Sequence, residues 1–231
     1  MSKNSVIIYS GGMDSTTLLY EKQKDIALAI SFNYGSKHND KEYEFAKVHT
    51  KLLGIEHIRI DLTETIGHFK SDLLKSGGTI PEGHYADDTM SKTVVPFRNG
   101  IMLSIASGIA NSKGLKSVLV ANHFGDDAQY PDCRENFVKP MRTAIFNGTG
   151  YSVFLDAPYT KITKADIAKL GDSLSIDWST TWSCYKGGEH HCGKCGTCVE
   201  RIWALQNSTD NTIYEDYNYA VDALKAKGEW E

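Results

Sequence analysis

The chain has 231 residues, 41% hydrophobic and 23% charged, with 20 Gly and 5 Pro; this composition excludes a disordered, collagen-like or low-complexity protein and suits one core with at most a small appendage. Lys and Arg number 25 against 29 Asp and Glu, a formal charge of −4, so no bulk positive field exists to hold a nucleic-acid backbone and a small-molecule substrate is favoured. No window approaches the roughly 18 apolar residues of a membrane span, and Met1 to Ser5 lacks a signal-peptide pattern, so a soluble, cytoplasmic protein without a membrane partner is expected.

In chain order, Val6-Ile7-Ile8-Tyr9 reads as a strand, Ser10-Gly11-Gly12 as a turn, and Thr16-Thr17-Leu18-Leu19-Tyr20 as the start of a helix. Ile26 to Phe32 is a second apolar run. Lys41 to Leu53 has helical spacing closed by Gly54, and His57 to Leu62 alternates like a strand. The polar stretch from about Ser71 to Lys92 is too long for an ordinary connection and implies a functional lid or a mobile insertion. Ile101 to Ala110 predicts a small-residue helix, Ser117 to Ala121 a buried strand and Ser152 to Ala157 a weaker one; Thr163 and Asp166 are placed close to a capping box for a further helix. Strands alternating with helices imply an α/β fold, doubly wound around a mostly parallel sheet, with ligands at the carboxyl ends of the strands. A cysteine-rich segment breaks that rhythm before two terminal helices.

Ser10-Gly11-Gly12-Met13-Asp14-Ser15-Thr16 carries the first chemistry. Two glycines let the backbone turn sharply and approach an anion, hydroxyls add donors, and the following helix contributes unpaired N–H groups and the positive end of its dipole. The string lacks the Gly-Lys-Ser/Thr end of a Walker loop and the third glycine of a dinucleotide fingerprint. It resembles the Ser-Gly-Gly-x-Asp-Ser loop of the ATP-pyrophosphatase (PP-loop) family, and that resemblance implies ATP cleavage between the α and β phosphates.

Four of the five cysteines fall in Cys184-x7-Cys192-x2-Cys195-x2-Cys198, with Gly193 and Gly196 supplying turns; this spacing points to a closed, structural zinc site more than to an iron–sulfur cluster, because no Cys-Pro follows. His190 or His191 would replace a thiolate only if the loop demanded it. A third group comprises Val95-Pro96-Phe97-Arg98-Asn99, Asn122-His123-Phe124-Gly125-Asp126-Asp127 and Tyr130-Pro131-Asp132-Cys133-Arg134. Its aromatics suit a planar base, Arg98 a phosphate or carboxylate, and Asp126 or Asp127 a magnesium ion.

Together with Phe32-Asn33-Tyr34-Gly35, His38 and Thr181-Trp182-Ser183-Cys184, these motifs in this order resemble the 7-cyano-7-deazaguanine synthase (QueC) family of queuosine biosynthesis, from about residue 5 to residue 205. Lys37 stands where an Arg is common, and the Asn122 to Asp127 loop is less acidic than in many members. The resemblance implies an ATP-dependent ligase acting on 7-carboxy-7-deazaguanine and ammonia with Mg²⁺, adenylating the acid and then the amide. It implies an ATP-pyrophosphatase α/β domain over residues 1–180 and a zinc-binding region over 181–231. Asp14, Ser15 and Arg98 are the implied catalytic residues, with Tyr9, Ser10, Gly11, Gly12, Met13, Asp14, Ser15, Thr16, Thr17, Leu18 and Leu19 around ATP. Tyr34, Phe97, Arg98, Asn99, Tyr130, Asp132 and Cys133 are assigned to the deazaguanine, with Cys133 a lining residue rather than a nucleophile. A homodimer is expected and direct nucleic-acid binding is not. Rival readings are an offshoot that stops at the amide or passes the acyl group to a protein amine, a tRNA-modifying PP-loop enzyme, an NAD synthetase-like amidating enzyme, and a zinc-stabilised binding module.

Overall fold

A computed structural model describes residues 3–125 and 129–230; Asp126 and Asp127, the acids assigned to magnesium, lie outside the described residues. Five parallel strands form one sheet in the order β3-β2-β1-β4-β5: β1 Ser5–Ile8, β2 Ile26–Asn33, β3 Glu56–Asp61, β4 Ser117–Leu119 and β5 Phe154–Asp156. Alternate side chains go to opposite faces, as the period of two requires. Ile7, Ala29 and Leu119 pack with Leu18 and Leu19 of α1 (Met13–Glu21), Ala46 of α2 (Asn39–Leu52) and Ile167 of α6 (Lys164–Ser173). Val6, Leu28, Ile30, Val118 and Leu155 pack with Met102, Leu103 and Ala106 of α4 (Arg98–Ser112) and Val138 and Ile145 of α5 (Glu135–Gly148). Helices therefore cover both faces.

The chain builds β1, β2 and β3 in one direction, then returns through α4 to lay β4 on the other side of β1. This reversal opens a crevice at the carboxyl ends of β1 and β4. The one-turn helix α3 (Thr63–Ile66) leads into the long polar stretch, which proves to be a packed segment. Leu73, Leu74, Ile80, Tyr85 and Met90 are buried, and a 3₁₀ helix spans Asp88–Thr93. Lys37 Nζ donates to the carbonyls of Asp72, Leu74 and Gly78, and the Gly83 N–H donates to the Lys194 carbonyl, fastening the segment to the cysteine region.

The elements read from the sequence include no helix over 135–148; the structure places α5 there, with Pro140 inside it. In α5 Asn136 and Pro140 are exposed, so the hydrogen bond that the proline cannot donate is lost on the solvent side, while Phe137, Val138, Met141 and Ile145 pack inward and Arg142 Nε donates to the Leu155 carbonyl. The expected capping box is present at α6: Thr163 Oγ1 accepts from the Asp166 N–H at 3.2 Å and Asp166 Oδ2 from the Thr163 N–H at 3.1 Å. The terminal helices α7 (Gly196–Ala204) and α8 (Tyr217–Lys227) pack through Val199, Ile202, Ala220 and Leu224. Replacing Thr163 with Ala removes the Oγ1 acceptor of the Asp166 N–H while keeping the backbone bond to Asp166 Oδ2, and should lower stability by about 1 kcal/mol in urea unfolding, with the slope unchanged.

Candidate active site

The cleft at the crevice has a volume of about 220 Å³. Its floor is the turn after β1. Gly11 has φ +84°, and a Cβ there would lie 2.5 Å from the Glu42 carbonyl oxygen and 2.7 Å from the Ala46 nitrogen, so only glycine lets this turn rest on α2. Ser10 Oγ accepts from the Gly12 N–H at 3.1 Å and lies 3.1 Å from Ser15 Oγ, while no side chain caps α1. Uncapped first-turn N–H groups and two paired hydroxyls form an anion site. Tyr9, Ser10, Gly12, Met13, Asp14 and Ser15 line the cleft; Thr16 is turned to the Tyr9 hydroxyl at 3.1 Å, Thr17 back-bonds to the Met13 carbonyl, and Leu18 and Leu19 are in the core.

Asp14 belongs to a cluster that the sequence did not reveal. Lys164, the first residue of α6, reaches Glu200 of α7 at 2.7 Å and Asp14 at 3.2 Å, with His123 Nε2 3.8 Å from Glu200 and 3.9 Å from Asp14. Lys164 and Glu200 are buried. A lysine in the first turn opposes the helix dipole, so Lys164 stands where a cation is unfavourable unless carboxylates face it. Asp14 Oδ1 is buried and accepts no hydrogen bond.

Across the cleft Arg98 opens α4. Its NH1 donates to the Tyr34 hydroxyl at 3.1 Å, and its guanidinium lies 5.4 Å from the Tyr34 ring centre and 5.7 Å from that of Tyr130. The Tyr130 and Tyr185 hydroxyls are 2.9 Å apart, and His38 stacks on Tyr185 with centroids 5.1 Å apart. Burial pushes the Tyr34 phenol up to about 12 and the His38 imidazole down to about 3, with Arg98 opposing the first shift and adding to the second. Glu42 of α2 also lines the cleft; burial raises its carboxyl to about 7 against the pull of Arg98. Asn99 lines the cleft and receives support from behind, its N–H donating to Asp132 at 2.8 Å and its Nδ2 contacting Cys133 Sγ at 3.1 Å. Phe97 has φ 54°, is 57% exposed and packs edge-on against Phe137; it is not among the residues lining the cleft.

The Thr181–Cys184 strap closes the cleft beside the loop. The Trp182 N–H donates to the Gly11 carbonyl at 3.0 Å, and Ser183 and Tyr185 line the cavity. Arg201, fully buried, supports the strap by donating to Thr181 Oγ1 at 2.8 Å and to the Trp178 carbonyl at 2.6 Å. Beyond it the sulfurs of Cys184, Cys192, Cys195 and Cys198 all lie within 4.8 Å of one another, and all four residues are buried. A tetrahedral zinc with Zn–S of about 2.3 Å places its sulfurs about 3.8 Å apart, and Cys192 Sγ lies 3.9 Å from Cys198 Sγ. The cluster fits a structural zinc. His191 is engaged elsewhere, accepting from the Ser183 N–H at 3.1 Å and stacking on Trp182.

Residues 4–209 match the family model described as queuosine biosynthesis protein QueC. The chain is 58% identical over 215 residues to 7-cyano-7-deazaguanine synthase of Porphyromonas gingivalis, covering 92% of this chain and 98% of the relative. It is 47% identical to the enzyme of that name from Caldicellulosiruptor saccharolyticus, covering 87% and 90%, and 42% identical to 7-cyano-7-deazaguanine synthase 1 of Mesorhizobium japonicum, covering 97% and 99%. Among solved structures, NMN synthetase from Francisella tularensis shares the fold, with a TM-score of 0.50 and 12% identity over 100% of this chain and 87% of that one. The chain belongs to the QueC family.

Replacing Lys164 with Met leaves Asp14 and Glu200 facing each other without a cation and should cost about 3 kcal/mol, part of which is regained on adding Glu200→Gln; urea unfolding of the single and double variants measures both. Elemental analysis should find one zinc per chain, and its removal by chelator should melt the region around α7 and α8 first, as hydrogen exchange would resolve.

Proposed function

We propose that this chain is an ATP-dependent carbon–nitrogen ligase that converts 7-carboxy-7-deazaguanine and ammonia to 7-cyano-7-deazaguanine, a step of queuosine biosynthesis. The chain is a member of the QueC family, and relatives that bear the synthase name match nearly its whole length. The observation that carries the reading to this site is the meeting, in one cleft, of an uncapped glycine turn at the start of α1 with Arg98 and its ring of tyrosines.

A carboxylate resists attack because it would have to expel oxide, and adenylation gives it a phosphate leaving group. In this reading Ser10 to Ser15 cradle the phosphates, Lys164 supplies a cation beside Asp14, and Arg98 holds the negative charge of the carboxyl or of the α-phosphate. Tyr34 and Asn99 bound the deazaguanine; Tyr130, Asp132 and Cys133 do not line the cleft, Tyr130 packing on Arg98 and the other two holding Asn99 in place. Magnesium accompanies ATP, and the unpartnered Oδ1 of Asp14 suits it. Zinc, held by Cys184, Cys192, Cys195 and Cys198, supplies folding energy and takes no part in the reaction. Residues 1–180 form the nucleotide part and 181–231 the zinc-binding part packed on it. We read the enzyme as a cytoplasmic homodimer using ammonia; no helix of the described residues is long and apolar enough to cross a membrane.

An amide cannot dehydrate unaided, so nitrile formation must draw on ATP a second time. Supplied with 7-amido-7-deazaguanine and ATP but no ammonia, the enzyme should form the nitrile with one AMP per turnover, read by mass spectrometry. Amide recovered unchanged would favour an enzyme that stops at the amide or transfers to a protein amine.

A further inference from the structure

Both halves of the ligase reaction release protons from nitrogen, and the cleft must hold a group to receive them. Among the described residues lining it, the carboxylates are Asp14 and Glu42. Asp14 is committed to Lys164 at 3.2 Å. Glu42 has no Lys or Arg within ion-pair distance among the described residues; its Oε2 accepts from Asn39 Nδ2 at 3.3 Å and lies 3.6 Å from His38 Nε2. Its backbone carbonyl abuts Gly11, so the residue sits between the nucleotide turn and Arg98. We propose that Glu42 is the proton acceptor of this cleft, taking the N–H proton released on ammonia attack and again the N–H proton released as the adenylated amide becomes a nitrile. The proposal rests on the ligase reading above.

In the first half, the nitrogen lone pair of ammonia forms the C–N bond to the acyl adenylate. The C–O pair departs with AMP, and one N–H proton passes to the Glu42 carboxylate. In the second half, the amide oxygen attacks the α-phosphorus and pyrophosphate leaves, while one N–H proton passes to water and leaves a neutral imidate. The remaining N–H proton then goes to Glu42, its bonding pair completes the C≡N bond, and the C–O pair again leaves with AMP. Glu42 returns its proton to water after each half.

The groups facing Glu42 do not compete for this role. His38, beside the start of α2, is driven to about 3 by burial and by Arg98, and the Tyr34 phenol is driven up by burial. Arg98 of α4 stays charged. Burial raises Glu42 itself to about 7, which matches a base working near neutral pH.

Glu42→Gln tests this, because the amide oxygen still accepts from Asn39 while the base is gone. Expected are a fall of about 100-fold or more in kcat for amide-to-nitrile conversion, and ATP–pyrophosphate exchange driven by the acid without ammonia within about threefold of wild type. Glu42→Asp should regain part of the turnover. The wild-type kcat should fall as pH drops below about 7, where the carboxylate takes up its proton, and the residual rate of Glu42→Gln should lack that limb. Wild-type turnover in the variant, or loss of exchange and turnover together, would overturn the proton role alone. A wild-type enzyme that made no nitrile would instead overturn the ligase reading and this proposal with it.

Discussion

The peptide of Gly11 is gripped from two sides, and the cleft is built around that grip. On one side its missing side chain lets the turn settle against the backbone of α2 at Glu42 and Ala46; on the other its carbonyl accepts the Trp182 N–H. The first contact requires glycine and a left-handed φ, and the second requires the C-terminal strap to lie across the turn. Three parts of the chain remote in sequence are thereby fixed to one peptide. The hydroxyls of Ser10 and Ser15 are then set by bonds within the turn and need no further support.

The strap itself has little slack. One residue separates Trp182 from Cys184, the indole Nε1 donates to the Cys184 carbonyl at 2.8 Å, and Thr197 Oγ1 donates to the Ser183 carbonyl at 2.9 Å. Arg201 fastens the same segment from beneath with bonds from both of its terminal nitrogens. A metal held by the four cysteines at the end of so short a segment would restrain the glycine turn as well as the terminal helices. This explains why an α/β enzyme places a structural metal site beside its cleft.

Much of this was legible in residue order. A glycine turn needs contiguous residues, as does a cysteine cluster or a capping box, and Ser10 to Ser15, Cys184 to Cys198 and Thr163 to Asp166 are each where local chemistry implied. The α5 helix carries no contiguous signature of that kind: Pro140, a breaker by local rules, sits inside it at an exposed position, and the amphipathic face prevails. The stretch around Ser71 to Lys92 is polar in composition and still buries five apolar side chains, since its cover comes from Lys37 and from the cysteine region. The partnership of Asp14, Lys164 and Glu200 joins residues 36 to 186 positions apart, and no local pattern could encode it. Phe97 packs edge-on against Phe137 of α5, a helix absent from the elements read in the sequence, so its placement could not be read either.

Of the cations lining the cleft, Arg59 of β3 is paired with Asp40 at 2.7 Å, and the other two, Lys164 and Arg98, come from opposite layers of the sheet. Lys164 begins α6 on the face shared with α1 and α2, and Arg98 begins α4 on the other face. Each stands at the positive end of its helix, an unfavourable position that needs negative charge nearby. Lys164 has Asp14 and Glu200. Arg98 has no carboxylate within ion-pair distance among the described residues and is surrounded by phenols, whose ring faces and hydroxyl oxygen only partly offset its charge. The doubly wound topology brings the starts of both helices to the crevice where β1 and β4 diverge. An anion entering there would meet one cation already balanced and one still in deficit, so electrostatics favours its charged end lodging at Arg98 with the remainder extending toward the glycine turn.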